Sequence, residues 1–84
     1  MKIKIFWQPE CVKCPEAKEL GKKLADKGQK VELKNIKESD GLADAAYHNI
    51  MATPSVVLCD DEECEIKVWL AETPKLEEVM EVIK

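Results

Sequence analysis

Apolar and polar positions alternate from Lys2 to Trp7, with Ile3 and Ile5 on one side, and this two-residue period predicts a β-strand. The period changes after Cys11-Val12-Lys13-Cys14. Between Pro15 and Lys27, Ala17, Leu20, Gly21, Leu24 and Ala25 recur at helical spacing, while Glu16, Lys18, Glu19, Lys22, Lys23 and Asp26 fill the other face. Gly28 stands where a helix C-terminal glycine belongs. From Gln29 to Ile36, Val31 and Leu33 alternate with Lys30, Glu32 and Lys34, the pattern of a half-exposed edge strand.

A second helix is expected next, capped by Ser39 or Asp40, with Leu42, Ala45, Ala46, Asn49 and Ile50 as its apolar stripe. Met51-Ala52-Thr53-Pro54 then leads into Ser55-Val56-Val57-Leu58-Cys59, a continuous run typical of a strand covered on both faces. The acidic loop Asp60-Asp61-Glu62-Glu63 is short enough to close a hairpin with a strand from Glu65 to Leu70, whose Ile66, Val68 and Leu70 share one side. A last helix is predicted with Thr73 as N-cap, Pro74 in its first turn and Leu76, Val79, Met80 and Ile83 buried. The order is β-α-β-α-β-β-α. Its first two strands, joined through a helix, should be parallel by a right-handed crossover, and its last two antiparallel. The expected fold class is α/β, a mixed four-stranded sheet flanked by helices.

The 84 residues suit one small domain spanning 1–84, and 45% hydrophobic residues is a globular composition. A net charge of −4 with Lys and Glu intermixed leaves no basic patch, which argues against nucleic acid as a partner. The apolar runs are too short to span a bilayer. The alternating N-terminus does not resemble a signal-peptide core, so a cytoplasmic, reducing location is expected. In that setting a CxxC pair is usually catalytic or metal-binding.

Cys11 and Cys14 lie between a strand and a helix start. Two thiols at this spacing can close a small disulfide ring, and the helix N-terminus favours the thiolate form. Cys11, first in the turn, is the expected nucleophile, with Lys13 adding a favourable charge and Glu10 opposing it. Cys14 is the expected resolving thiol. Pro15 is tolerated if regular helix begins near it. The competing reading is a zinc knuckle completed by Cys59 and Cys64. Topology opposes it, because the Ser55–Cys59 strand carries the chain roughly 16 Å away from the CxxC. No metal is therefore expected.

Thr53-Pro54, just before a buried strand, marks a strand start or a special bend. Together the motifs support a resemblance to the thioredoxin fold, in its small thioredoxin-like or glutaredoxin-like form, over nearly the whole chain. Phe6-Trp7, three residues and Cys11 resemble the family's approach to its active site, and Ile50 to Val57 resembles its cis-proline segment. The resemblance implies that Pro54 is cis and packs against the disulfide, and that the Thr53 backbone pairs with an extended substrate segment. It implies a dithiol–disulfide oxidoreductase and electron carrier acting on protein disulfides. No bound cofactor is expected, since the cysteines carry the electrons themselves, and the chain is expected to be a monomer. Ile5 stands where thioredoxins commonly carry a buried carboxylate. The chain also has Trp69-Leu70-Ala71-Glu72 in place of the glutaredoxin Gly-Gly-Asp. That departure argues against glutathione and for a flavoprotein of the thioredoxin-reductase type as electron donor.

Cys59 and Cys64 read either as two reduced thiols packed as small apolar groups or as a second disulfide worth roughly 2 kcal/mol at most. His48 reads as a solvated helix-end residue in preference to a proton-transfer group. Trp7 is expected beside the active-site turn and Trp69 over the outer sheet face. Two rival functions remain open. A soft-metal chaperone for copper or zinc would need the order β-α-β-β-α-β, and a non-catalytic interaction module would have no use for Cys11.

Overall fold

The computed structural model describes residues 1–62 and 65–83. Its elements are β1 (Lys2–Trp7), α1 (Cys14–Asp26), β2 (Lys30–Asn35), α2 (Ser39–Tyr47), β3 (Ser55–Cys59), β4 (Glu65–Trp69) and α3 (Leu76–Ile83). The strands form one sheet in the order β2-β1-β3-β4. β1 pairs parallel with β2, while β1 with β3 and β3 with β4 are antiparallel. This is the thioredoxin fold, with the element order and strand directions read from the sequence.

Each sheet face carries its own core. On one face Ile3, Ile5, Val56, Leu58 and Trp69 pack with Ala17, Leu20 and Leu24 of α1 and Val79 of α3. On the other, Phe6, Val57 and Cys59 pack with Ala45 and Ile50. All five residues of β3 are buried, which explains their unbroken apolar character. β2 lies at the sheet edge with Leu33 exposed.

α1 ends as its sequence requires. Gly28 adopts a positive φ of 86°, the Gly28 N–H donates to the Ala25 carbonyl and the Gln29 N–H to the Leu24 carbonyl. Those two bonds make a Schellman closure. Gly21 matters for close packing instead. A Cβ there would lie 2.8 Å from Ile5 Cδ1, so its absence lets α1 settle onto β1. Ala25, read as part of the buried stripe, is exposed.

Several side-chain expectations change. α2 turns Gly41 and Ala45 inward, and Leu42 is exposed at 59%. The reason is steric: a Cβ at position 41 would overlap the Asn35 backbone, so only glycine can face β2 so closely. Ala46 and Asn49 consequently face out. Glu38 occupies the N-cap of α2 without a side-chain cap bond, in place of Ser39 or Asp40. α3 begins at Leu76, after residues 73–75 outside regular structure, of which Pro74 is buried. With regular helix starting only at Leu76, Thr73 stands three residues before it, too early to cap it, and its Oγ1 has no hydrogen-bond partner among the described residues. Trp69 faces inward, with Nε1 donating to Glu78 Oε2 at 2.8 Å. On the other side of β4, the edge strand, Val68 packs against the second core while Ile66 and, just beyond the strand, Leu70 are exposed.

Candidate active site

The register of β1 with β3 pairs Phe6 with Ser55 and Lys2 with Cys59. The loop leaving β1 therefore lies beside the loop entering β3, while Cys59 sits at the far end of the sheet. Cys64, which the alternative reading joined to Cys59 as a second disulfide, lies outside the described residues.

Residues 8–13 form the loop. Glu10 takes a positive φ of 65° immediately before Cys11, and the Cys14 N–H donates to the Cys11 carbonyl at 3.3 Å. That turn brings the two cysteines to a Cα–Cα separation of 5.3 Å, and their sulfurs are joined as a disulfide. Cys14 opens α1, with Pro15 directly after it in the first turn, where a missing N–H costs nothing. The two cysteines differ in access: Cys14 is 2% exposed and Cys11 half-buried. Lys13 holds the N-cap position with its side chain exposed, and Val12 is 92% exposed.

From the facing loop come Thr53 and Pro54, whose peptide bond is cis. Pro54 is buried, and Thr53 Oγ1 lies 3.7 Å from Cys11 Sγ in donor geometry. Gln8 Nε2 donates to the same Thr53 oxygen at 2.9 Å. Ser55 stiffens the bend, its Oγ donating to the Ala52 carbonyl at 2.7 Å and accepting from the Ala71 N–H at 3.1 Å. Lys18 stands with Nζ 3.4 Å from the centroid of the Trp7 ring, a cation–π contact at the root of the loop. Neither Gln8 nor the Lys18 contact was visible in the sequence. Lys18 lies on the charged face of α1, and Gln8 carries no periodicity signal.

A second polar cluster occupies the α2 face of the sheet. Lys4, 1% exposed, places Nζ 3.0 Å from Asp44 Oδ1 and 3.2 Å from His48 Nε2. His48 is buried, and its Nδ1 lies 2.6 Å from Glu65 Oε1. The expectation of a solvated His48 is corrected. As the C-cap of α2 it follows Gly41 and Ala45 on the inward face, where Lys4 and Glu65 satisfy both ring nitrogens. A lysine ammonium only donates, so Nε2 accepts and the Nδ1–H points at Glu65. Lys34 Nζ completes the cluster 3.2 Å from Asp44 Oδ2. For Asp44 partial burial opposes ionisation, but hydrogen bonds from Lys4 and Lys34 outweigh it and hold the carboxyl below its ordinary value. For Lys34 burial likewise opposes the charge, and the Asp44 and Glu32 carboxylates overcome it, raising the ammonium's pKa.

Among the described residues, no group of three or more His, Cys, Asp or Glu side chains is arranged to hold a metal ion. No described helix is long and apolar enough to cross a membrane.

The thioredoxin domain family model matches residues 1–84. No curated protein matches the chain. Among solved structures, thioredoxin 1 from the thermophilic eubacterium Thermosipho africanus is 24% identical with a TM-score of 0.68, covering 99% of this chain and 90% of its own. The thioredoxin of Malassezia sympodialis, at 21% identity, and that of Thermus thermophilus, at 16%, each have a TM-score of 0.68. Each alignment covers 98% of this chain and 70% of the other. These likenesses speak to the fold, whereas the family match runs through the CxxC turn and the Thr53–Pro54 bend together. The chain belongs to the thioredoxin-domain family.

Proposed function

We propose that this protein is a dithiol–disulfide oxidoreductase that reduces protein disulfides. The observation that carries the reading is the Cys11–Cys14 disulfide at the start of α1, with the half-buried Cys11 beside Thr53 and Cys14 buried. A redox pair needs such asymmetry, because one thiol must meet the target and the other must wait.

In the reduced form the Cys11 thiolate attacks one sulfur of a target disulfide. A Cys11–target S–S bond forms, the target's own bond breaks, and the departing sulfur takes the electron pair and then a proton from water. Cys14, deprotonated, attacks Cys11 Sγ. The internal disulfide forms, and the second target sulfur leaves as a thiolate. Two electrons have passed to the target, and the cysteines carry them without a bound cofactor. Pro54 and the Thr53 backbone form the docking edge for an extended target segment, a form of strand addition. Lys13 adds positive charge beside the nucleophile. A flavoprotein of the thioredoxin-reductase type would return the chain to its dithiol form in a cytoplasmic setting.

The test is a Cys14→Ser trap. It should accumulate Cys11-linked mixed disulfides in a reducing lysate, and Cys11→Ser should capture none and fail to reduce insulin disulfides. A wild-type protein that never accelerates insulin reduction by dithiothreitol, with a trap that captures nothing, would overturn the reading.

A further inference from the structure

The link between Gln8 and Cys11 runs through one hydroxyl. Gln8 Nε2 donates to Thr53 Oγ1 at 2.9 Å, and the same oxygen lies 3.7 Å from Cys11 Sγ. A threonine hydroxyl has two lone pairs and a single proton. With the Gln8 amide occupying a lone pair, the hydroxyl proton is left to point at sulfur. We propose that Gln8 is a positioning residue for the redox centre: it orients the Thr53 hydroxyl as a hydrogen-bond donor to the sulfur of Cys11.

The consequence is a differential one. A disulfide or thiol sulfur is a weak acceptor, whereas a thiolate is charged and accepts strongly. The Thr53 O–H bond therefore strengthens when negative charge arrives on Cys11. That happens when Cys11 is the free nucleophile, and again when a reductant's second thiolate attacks the reductant sulfur of a Cys11–reductant mixed disulfide, breaking that bond and releasing Cys11 as a thiolate. Without Gln8 the hydroxyl can rotate toward solvent or a neighbouring carbonyl, and the sulfur loses an oriented donor. Gln8 touches neither cysteine, so its influence passes through Thr53. The use made of this arrangement rests on the oxidoreductase reading, but the hydrogen-bond relay does not.

The test is the rate of iodoacetamide alkylation of Cys11 in the fully reduced protein, followed across pH with the modified site identified by mass. Below the midpoint of thiolate formation, Thr53→Val should slow alkylation about tenfold, the loss of a donor to a charged acceptor. Gln8→Ala should slow it about threefold, because an unanchored hydroxyl keeps part of its effect. Both should move the pH midpoint upward. Thr53→Ser retains the donor and should stay near the wild-type rate, which also controls for folding. Gln8→Glu offers only acceptors, takes the hydroxyl proton for itself, and should lose at least as much as Gln8→Ala. The deciding measurement is the double variant: in a Thr53→Val background, Gln8→Ala should change nothing further. An equal slowing with and without the Thr53 hydroxyl, or no slowing in the wild-type background, would overturn the proposal. Alkylation needs no turnover, so the two readings fail separately. A protein inactive on insulin whose variants still follow this pattern would lose the enzymatic reading and keep the relay.

Discussion

Lys4 and His48, 44 residues apart in the chain, meet beneath α2 with Nζ 3.2 Å from Nε2. Lys4 belongs to β1, the strand that delivers the CxxC loop, and His48 caps α2, the helix that precedes the Thr53–Pro54 bend. Asp44 and Glu65 extend the contact to a second turn of α2 and to β4. One buried lysine thus ties together the strand that leads into the Cys11–Cys14 disulfide and the helix that leads into the Thr53–Pro54 bend.

Removing that lysine should be costly. Lys4→Ala leaves Asp44 and His48 each short of a partner and opens a cavity, and the expected loss is about 3 kcal/mol. Lys4→Met refills most of the volume and should lose less. Urea denaturation of the oxidised proteins would rank the two. A Lys4→Ala protein as stable as wild type would mean that the cluster contributes nothing net.

Acid sensitivity follows from Asp44. Its carboxyl titrates below the ordinary 3.8 in the folded protein, so the unfolded chain binds the proton more readily. The stabilisation is fully present above that ordinary value and is lost as pH falls through the lower, folded one. Lys34 has the opposite sign. Its raised pKa contributes stability below the ordinary 10.5, and this is lost as pH climbs through the folded value. Asp44→Asn should flatten the acid limb and weaken the alkaline one, since Lys34 loses its nearest carboxylate. Midpoints of urea unfolding from pH 2 to pH 6 and from pH 9 to pH 11 would show both.

How far the sequence speaks for this molecule depends on whether a residue acts locally or across the sheet. Gly28 closes α1 through bonds within its own turn, and Pro15 tolerates only the first turn of a helix, so both were readable. The crossover from β1 to β2 and the buried β3 follow from period and run length. Leu42 and Trp69 were misassigned because periodicity gives a face and not its neighbour. The Asn35 backbone selects Gly41 over Leu42, and α3 covers the Trp69 side of β4. Lys4 and His48 look solvated in isolation, and only the fold supplies their partners. Of the site, Cys11, Cys14, Thr53 and Pro54 were legible as motifs. Gln8 was not, because its partner lies 45 residues away.

The redox state should be readable from Trp7. Its ring lies at the base of the CxxC loop under Lys18, whereas Trp69 is enclosed between β4 and α3. Reduction of the disulfide should therefore change the fluorescence of Trp7, a disulfide being an efficient quencher at short range. Trp69→Phe should preserve most of the change and Trp7→Phe should remove most of it. Lys18→Met should alter the Trp7 baseline in both redox states. A redox signal that survives Trp7→Phe intact would place the responding indole elsewhere.

The contact between Gly21 and Ile5 gives a two-residue test of packing at the site's foundation. An added Cβ at 21 would stand 2.8 Å from Ile5 Cδ1, and 3.3 Å from Val31 Cγ1. Helix propensity favours Gly21→Ala by about 1 kcal/mol, but overpacking costs about 1–3 kcal/mol, so the substitution should destabilise. Ile5→Val removes the very methyl group in the way, and alone costs roughly 1 kcal/mol. Combined, the two should be markedly less damaging than their sum, because the new methyl occupies space that the deleted one vacated. Urea midpoints of the two single variants and the double variant complete the cycle. Strict additivity would show that α1 relieves the clash by shifting as a body, and α1 carries Cys14 at its first turn. That outcome would also predict slower closure of the Cys11–Cys14 disulfide in Gly21→Ala, which the packing account does not.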